Sequence, residues 1–249
     1  MGVDVYVGSG TERYYVGEAG EAFTGASIME TVALPGEYTE VLINLPLYGG
    51  IKSVEIGFEA EAEVASALDR AVEKPVLLYG ASVTQGACAS RPGLAWANLV
   101  SRMLDIDVKS LACSGLGWAE SAMAEYIAGL DISAIVLDCS SGDWPDRIDE
   151  FYRIVRAAHP DIPLIYTDVI RLGDEEHAIS KKRVPVVREH CEKVRAEGDK
   201  NVYFLSLVPE VSIDNNRDLM AVDFCHPNDL GMYYMAESHY AILKEVLGR

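Results

Sequence analysis

The sequence lacks any apolar run long enough to cross a lipid bilayer. A transmembrane helix needs about 20 consecutive, mostly apolar residues, and no segment of the 249-residue chain reaches that length. The first residues also lack the basic start and the apolar stretch of a secretory signal peptide. We therefore expect no membrane partner and a cytoplasmic location.

Cysteine is scarce, and its distribution fits no framework. The five cysteines are odd in number, include no Cys-x-x-Cys pair and are scattered along the chain as Cys88, Cys113, Cys139, Cys191 and Cys225. Disulfide scaffolds need paired cysteines, and structural zinc sites need closely spaced ligands. The sequence therefore predicts neither a disulfide framework nor a structural metal site.

Basic residues are also few relative to acidic ones. The chain has 21 Lys and Arg against 39 Asp and Glu, which gives a formal net charge of −18. Such a surface repels phosphate backbones, so we expect no nucleic-acid partner. Charge governs association more than chemistry, and we interpret the acidity as favouring solubility, with a cationic substrate as the alternative.

The character of the sequence changes near residue 74. Before that point, short β-like runs alternate with turns that contain glycine and proline, and helical spacing occurs only around residues 62–71. The predicted strands cover residues 3–7, 14–16, 39–45 and 53–58. This pattern predicts a small all-β module, a sheet or a sandwich, over residues 1–72.

From residue 75 onwards, apolar runs alternate with stretches of helical spacing. The predicted strands are 75–79, 107–111, 133–137, 163–167 and 201–205, and the predicted helices are 96–104, 119–127, 147–158, 178–195 and 230–247. Five such units predict a doubly wound α/β domain with a five-stranded parallel sheet over residues 73–249. In such sheets, ligands bind outside the carboxyl ends of the strands.

The loop after the first of these strands carries a serine between small residues, in the run Gly80-Ala81-Ser82-Val83-Thr84-Gln85-Gly86. A serine at a strand-to-helix turn exposes its hydroxyl and places its N–H at a helix N-terminus. A Walker phosphate loop needs a lysine here, and the next lysine is Lys109. The glycine spacing does not match a dinucleotide fingerprint, and an α/β-hydrolase elbow would have glycine in place of Thr84. On this motif alone, a plain tight turn remains open.

A second motif, Asp223-Phe224-Cys225-His226-Pro227, precedes the last predicted helix. An aspartate three residues before a histidine can accept the Nδ1–H bond, which leaves Nε2 free to take a proton from a hydroxyl. Both loops lie at the same edge of the predicted sheet. Ser82 and His226 are therefore predicted to meet as nucleophile and base, with Asp223 orienting the base. The alternatives, a metal site or Cys225 as nucleophile, lack further ligands or an activating group.

Three segments together resemble the signature blocks of the SGNH/GDSL hydrolase superfamily. Gly80-x-Ser82-x-Thr84-x-Gly86 is similar to the first block, Leu111-Ala112-Cys113-Ser114-Gly115 to the second, and Asp223-x-x-His226-Pro227 to the last. Three further segments resemble a branch of this superfamily that has an N-terminal β module. They are Ser90-Arg91-Pro92-Gly93, Leu45-Pro46-Leu47-Tyr48 and Gly2-Val3-Asp4-Val5-Tyr6. The resemblance implies a flavodoxin-like, three-layer α/β/α fold preceded by the β module.

The resemblance also implies a role for each matching residue. Ser82 attacks an ester carbonyl, His226 shuttles the proton, and Asp223 orients the imidazole. The N–H groups of Ser82 and Gly115 form the oxyanion hole. The third block normally adds an asparagine, but the position that aligns with it is Gly142, and losing one such donor costs about 10²–10³ in kcat.

The resemblance implies a serine esterase or acylhydrolase that acts on a small-molecule acyl ester, such as a carbohydrate ester. It implies no need for a cofactor. An acyltransferase with the same nucleophile is one alternative. A catalytically weakened ligand-binding relative is the other, because Gly142 has no side-chain donor. Trp118, Trp144 and Arg91 lie near the predicted rim and are candidate substrate contacts, with packing or loop capping as the alternative interpretation.

Overall fold

A computed structural model describes the chain in seven ranges, residues 2–20, 29–35, 39–139, 144–168, 174–207, 219–223 and 225–249, with only the backbone described for 174–183. The regular elements form a small antiparallel sheet and a five-stranded parallel sheet with helices. Within these ranges, none of the helices combines the length and the apolar character that a membrane span requires.

The short β-like runs near the N-terminus form a small sheet, and its strands are antiparallel. Its central strand β1 (Val3–Val7) pairs with β2 (Tyr14–Ala19) on one side and with β3 (Val41–Asn44) on the other. The end of β1 is buried, with Val7 completely inaccessible to solvent. The predicted small all-β unit is therefore confirmed.

Two elements predicted before residue 72 are wrong. Residues 53–58 form no strand, and residues 62–71 form no helix. Val54, Ile56 and Phe58 alternate along the chain as in a strand, but each is at least half exposed. A strand exists only where a neighbouring strand takes its backbone hydrogen bonds, and none of the described residues pairs with this segment.

The predicted parallel sheet is confirmed. Its strands are β4 (Val72–Gly80), β5 (Ile106–Ala112), β6 (Ala134–Asp138), β7 (Leu164–Thr167) and β8 (Val202–Leu205). They lie in the order β5-β4-β6-β7-β8, all parallel, which is the flavodoxin-like order. β4 begins earlier than predicted, and its register against β5 shifts before Val76, where Pro75 has no N–H to donate.

Helices cover both faces of this sheet. They are α1 (Ser82–Gln85), a 3₁₀ turn (Pro92–Leu94), α2 (Trp96–Leu104), α3 (Ser121–Ala128), α4 (Trp144–Ala158), α5 (Asp174–Ala196) and α6 (Asp229–Val246). Side chains of α2 and α6 form one core with one face of the sheet, and those of α3, α4 and α5 form a second core with the other face. This arrangement gives the three layers.

Strand β4 shows why the sheet is buried on both faces. Val76 and Leu78 belong to the core under α2 and α6, whereas Leu77 and Tyr79 belong to the opposite core. All four are at most 1% exposed. Successive side chains of a strand point to opposite faces, so a central strand between two helical layers requires the continuous apolar run seen in the sequence.

A buried carboxylate joins the N-terminal sheet to the α/β unit. Asp4 on β1 is completely buried, and it accepts hydrogen bonds from Asn44 Nδ2 at 2.8 Å, Arg91 Nη1 at 2.9 Å and the Gly93 N–H at 2.7 Å. A buried charge requires such compensation. The boundary between residues 72 and 73, as a division into domains, stays a prediction.

His239 on α6 is a buried histidine outside the site described below. Its ring stacks on Trp96 with 4.1 Å between centroids, and its Nδ1–H donates to the Met235 carbonyl at 2.7 Å. Burial lowers the pKa of His239 to about 4, and the bond to Met235 opposes this shift only in part. The neutral imidazole is therefore the form that the folded protein holds.

We expect the free energy of unfolding to decrease as the pH falls from 6.5 towards about 4, because there the unfolded chain protonates residue 239 and the folded protein does not. The contribution of this residue between pH 7 and pH 4.5 is roughly 2–3 kcal/mol. Urea unfolding at both pH values compares the parent with His239→Phe, which keeps a ring against Trp96. The parent should lose more stability than the variant by about this amount.

The control for this comparison is His159→Gln. His159 follows the end of α4, and its Nε2 lies 3.0 Å from the Ile127 carbonyl oxygen. Because His159→Gln leaves His239 and its surroundings in place, this variant should show the same loss as the parent. If His239→Phe loses as much stability as the parent on acidification, His239 does not contribute to the acid sensitivity.

Candidate active site

Ser82 lies at the first position of α1, directly after β4. The strand order reverses at β4, and such a reversal opens a crevice at the carboxyl ends of the strands. The turn is tightly packed, since a Cβ on Gly80 would lie 2.4 Å from Thr84 Oγ1 and 2.7 Å from Asp138 Cβ. The Thr84 hydroxyl donates to Asp138 Oδ2 at 2.5 Å, which ties the serine turn to the end of β6.

His226 reaches this serine from the far end of the chain. Its Nε2 lies 2.9 Å from Ser82 Oγ, although the two residues are 144 positions apart. Its Nδ1 lies 2.8 Å from Asp223 Oδ2. Because a carboxylate only accepts hydrogen bonds, Nδ1 carries the proton and Nε2 presents its lone pair to the serine hydroxyl. The three side chains are thus hydrogen-bonded in series.

Asp223 is held as an anion by its own loop. Its Oδ1 accepts the N–H groups of Cys225 at 2.7 Å and of His226 at 2.6 Å. Partial burial raises the pKa of Asp223, but the hydrogen bonds from the His226 ring and from these two N–H groups outweigh it, and the net pKa is lowered. The carboxylate therefore stays charged at neutral pH and faces the imidazole.

The loop that carries His226 is fixed to the start of α6. The Val222 N–H donates to the His226 carbonyl at 3.0 Å, and the Asn228 N–H donates to the Met220 carbonyl at 3.0 Å. The Asn228 side chain caps α6 by accepting two N–H groups of its first turn, each at 3.1 Å. This N-cap explains why the helix begins directly after the histidine loop.

Residues 113–117, which follow β5, form the second loop at the crevice and are called the oxyanion loop below. The Cys113 N–H donates to the Gly80 carbonyl at 3.2 Å, and the Leu116 N–H donates to the Cys113 carbonyl at 3.0 Å. Gly115 and Gly117 have positive φ angles of 77° and 84°. A Cβ on Gly117 would lie 2.6 Å from the Gly80 carbonyl carbon, so glycine is required there.

Two backbone donors at these loops have no acceptor in the described part of the chain. Among the described residues, the N–H groups of Ser82 and Gly115 donate to no protein acceptor. The Ser82 N–H belongs to the first turn of α1, where the helix itself supplies no acceptor. A pair of backbone N–H groups that both face a carbonyl oxygen is the kind of donor set that stabilises an oxyanion, and the role of these two groups stays a prediction.

The prediction that Trp144 binds substrate is wrong. Trp144 is completely buried, and its Nε1–H donates to the Gly117 carbonyl at 2.9 Å. The predicted helix began at residue 147, whereas α4 begins at Trp144, and Trp144 continues the buried face that includes Ile148 and Phe151. A buried ring cannot contact a substrate at an open rim, and this indole supports the oxyanion loop instead.

The other two candidate substrate contacts remain predictions. Trp118 is 40% exposed and follows the oxyanion loop. Arg91 donates to Asp4 Oδ2 at 2.9 Å, and its guanidinium lies 4.1 Å from the centroid of the Tyr15 ring, so its observed contacts hold the N-terminal sheet. Gly142, the position aligned with the missing asparagine, lies outside the described residues.

The described part of the chain offers no cluster of metal ligands, and the thiol of Cys88 is not activated. No group of three or more His, Cys, Asp or Glu side chains there could hold a metal ion. Cys88 is exposed as a residue, but partial burial of its sulfur, and secondly the nearby Asp223 charge, raise the pKa of its thiol. A thiol with a raised pKa is protonated at neutral pH and is a poor nucleophile.

Sequence reasoning missed the polar side chains that surround the oxyanion loop. Gln85 hydrogen-bonds Ser114 on that loop, and Tyr48 reaches the same serine from the N-terminal region. One signal was available, because Gln85 lies three residues after Ser82 and so shares a face of α1 with it. Tyr48 belongs to the run Leu45-Pro46-Leu47-Tyr48 that resembles the branch with a β module, but that resemblance gave no role for its side chain, because the contact with Ser114 depends on how the two sheets are placed.

The chain is similar to proteins of one family across most of its length. Residues 73–244 match the model of the GDSL-like lipase/acylhydrolase family. A protein from Bacteroides ovatus ATCC 8483, described as a GDSL-like lipase, is 29% identical, with 99% of this chain and 74% of that chain covered and a TM-score of 0.85. No curated protein matches.

More distant solved structures share the fold. A salicylyl-acyltransferase, SsfX3, from a tetracycline biosynthetic pathway is 18% identical, with 99% of this chain and 75% of that chain covered and a TM-score of 0.68. A family two carbohydrate esterase from Clostridium thermocellum, solved with cellohexaose, is 14% identical, with coverage of 99% and 89% and a TM-score of 0.65. At these identities the likeness concerns the fold.

Proposed function

Because the chain belongs to the GDSL-like lipase/acylhydrolase family, we propose that it is a serine esterase that removes a small acyl group from a polar ester. The observation that carries the proposal is the series of two hydrogen bonds, Ser82 Oγ to His226 Nε2 at 2.9 Å and His226 Nδ1 to Asp223 Oδ2 at 2.8 Å. This series supplies a nucleophile, a base and a group that orients the base.

In the proposed first half of the reaction, Ser82 Oγ attacks the ester carbonyl carbon and His226 Nε2 takes the hydroxyl proton. The carbonyl oxygen becomes an oxyanion, which the N–H groups of Ser82 and Gly115 stabilise. The Asp223 carboxylate stabilises the imidazolium. His226 then gives its proton to the leaving alcohol oxygen, and the acyl group remains on Ser82.

In the second half, a water molecule donates a proton to His226 and attacks the acyl carbon. The acyl–oxygen bond to Ser82 breaks, and the proton returns from His226 to the serine oxygen. The acid product leaves and the enzyme is restored. An alcohol in place of water would give acyl transfer by the same steps, so the two activities differ in the acceptor alone.

The exposure of the site supports a small polar ester over a long lipid chain. The Asp223 side chain is 51% exposed, and that of His226 is 27% exposed. A long acyl chain needs an apolar cleft that removes it from water, whereas an open site suits acyl groups on sugars or other polar alcohols. The shared fold with a carbohydrate esterase is consistent with this class of substrate.

The proposal is tested with p-nitrophenyl acetate, acetylated sugars and a fluorophosphonate probe. We expect acetate release from the esters and one probe molecule per chain, located on Ser82 by peptide mass mapping. Transfer of the acetyl group to an added alcohol in preference to water, with formation of a new ester, would show an acyltransferase. Absence of both turnover and labelling would instead indicate a ligand-binding relative, and the esterase proposal would fail.

A further inference from the structure

A side-chain network joins α1, the oxyanion loop and the segment after β3. Gln85 Oε1 accepts the Ser114 N–H at 2.9 Å and the Ser114 hydroxyl at 3.2 Å. Gln85 Nε2 donates to the Leu47 carbonyl at 2.9 Å. The Tyr48 hydroxyl lies 2.8 Å from Ser114 Oγ. Ser114 directly precedes Gly115, so the network ends next to an unoccupied backbone donor.

From this network we infer that Gln85 and Tyr48 are positioning residues for the oxyanion hole, and that the N-terminal segment is thereby part of the catalytic apparatus. They act on the reaction through Ser114, which sets the direction of the Gly115 N–H. The inference rests on the proposed function, because it requires Gly115 to bind the oxyanion of an ester reaction at Ser82.

Hydrogen bonds, more than packing, hold the tip of the oxyanion loop. Residues 113–116 are all exposed, and a Cβ on Gly115 would meet no heavy atom within 4 Å. Exposed loops with few apolar contacts open at low free-energy cost. The hydrogen bonds that join Ser114 to Gln85 and Tyr48 therefore restrain the loop to one conformation.

The network fixes the direction of each of its bonds. Gln85 Oε1 meets an N–H, so the amide nitrogen must be the atom that faces the Leu47 carbonyl. The Ser114 hydroxyl gives its single proton to Gln85, so the Tyr48 hydroxyl is the donor in the remaining bond. A carboxylate at position 85 would place two oxygens face to face at Leu47 and break this link.

Leu47 and Tyr48 are themselves anchored beside the nucleophile. A Cβ on Gly86 would lie 2.9 Å from Leu47 Cδ1, so the leucine side chain packs against the end of α1. Burial raises the pKa of Tyr48, although the bond with Ser114 lowers it in part. The phenol therefore remains a hydrogen-bond donor at neutral pH.

This positioning matters because the candidate oxyanion hole depends on backbone donors. The resemblance aligns Gly142 with an asparagine that would supply a side-chain amide, and glycine has none. Among the described residues, the candidate donors are the N–H groups of Ser82 and Gly115. A displacement of about 1 Å at a reacting group costs about 10²-fold in rate. Loosening Ser114 should thus lower kcat, which depends on the transition state, and should leave ground-state binding nearly unchanged.

The test compares Gln85→Glu and Tyr48→Phe with the parent and with the control Tyr152→Phe. Tyr152 also donates its hydroxyl to a side chain, Asp199 at 2.8 Å, but on α4, away from the site. With p-nitrophenyl acetate, we expect kcat to fall about 10- to 100-fold in Gln85→Glu and about 3- to 10-fold in Tyr48→Phe. KM should change by less than about 3-fold in both.

A second measurement separates positioning from a general loss of structure. An alkyl boronic acid forms a tetrahedral adduct with the serine, and one of its oxygens occupies the oxyanion position. Its Ki should rise in each variant by the same factor as kcat/KM falls, whereas Tyr152→Phe should leave kcat, KM and Ki as in the parent. Unchanged boronic-acid affinity alongside reduced kcat would refute the positioning role.

The remaining outcomes also decide the question. An unchanged kcat in folded Gln85→Glu and Tyr48→Phe overturns the inference while leaving a Ser82-dependent esterase intact. If Gln85→Glu does not fold, Tyr48→Phe, which removes one hydroxyl, decides alone. If the parent shows no activity that depends on Ser82, the proposed function has failed, and the inference fails with it.

Discussion

Replacing Ser82 with alanine is expected to lower kcat for p-nitrophenyl acetate by about 10⁴-fold or more. The substitution removes the oxygen that forms the acyl-enzyme, while the imidazole and the backbone donors remain. Residual turnover would come from those donors and from binding alone. The measurement is the steady-state release of p-nitrophenolate at neutral pH.

Ser101→Ala is the matched control for this substitution. The Ser101 hydroxyl donates to the Ile106 carbonyl at 2.7 Å and lies on α2, outside the site. The control should keep the parental kcat, and both variants should unfold at nearly the same urea concentration, since each loses a single hydroxyl. Parental activity in Ser82→Ala would remove Ser82 from the mechanism.

Replacing His226 with alanine is expected to lower kcat by about 10⁴-fold. Among the described residues, no other side chain that could accept the proton is hydrogen-bonded to Ser82 Oγ. The cavity left by the ring lies between Ser82 and Asp223. Added imidazole should occupy this space, bond to the Asp223 carboxylate and restore part of the activity. The rate is measured as a function of imidazole concentration at constant pH.

Ser82→Ala is the control for the imidazole rescue. Imidazole should have no comparable effect on Ser82→Ala, which lacks the hydroxyl that the base would activate. Rescue should also follow the neutral form of imidazole as the pH is varied, because the protonated form has no lone pair. A His226→Ala variant that retains parental turnover without imidazole would show that another group acts as the base.

Much of the fold was predictable because burial leaves a pattern in the sequence. Val76, Leu77, Leu78 and Tyr79 form an apolar run, and a strand buried on both faces requires such a run. The five helices predicted after residue 75 were also confirmed, with small shifts at their ends. The prediction of a strand at residues 53–58 was wrong. Alternating apolar residues show that a segment could pair as a strand, but whether a neighbouring strand is there to pair with it depends on other parts of the chain.

The chemistry of the candidate site was predictable where it is local in sequence. Asp223 and His226 are three residues apart, so their hydrogen bond could be inferred from the spacing of one turn. The sequence pattern predicts Trp144 at the rim because it predicts a loop before residue 147, and an indole in a loop is expected at the surface; α4 instead begins at Trp144. The sequence did not predict the roles of Gln85 and Tyr48, because the role of an amide or a phenol depends on which groups it hydrogen-bonds in the folded protein.

The sequence by itself determined the three-layer architecture, the serine turn and the histidine loop, because apolar periodicity and short motifs act over a few neighbouring residues. Only the tertiary structure decided that Ser82 Oγ and His226 Nε2 lie 2.9 Å apart and that Tyr48 contacts the oxyanion loop. Distances between remote segments depend on how strands and helices pack against one another. That packing is a property of the whole core, and no short stretch of sequence encodes it.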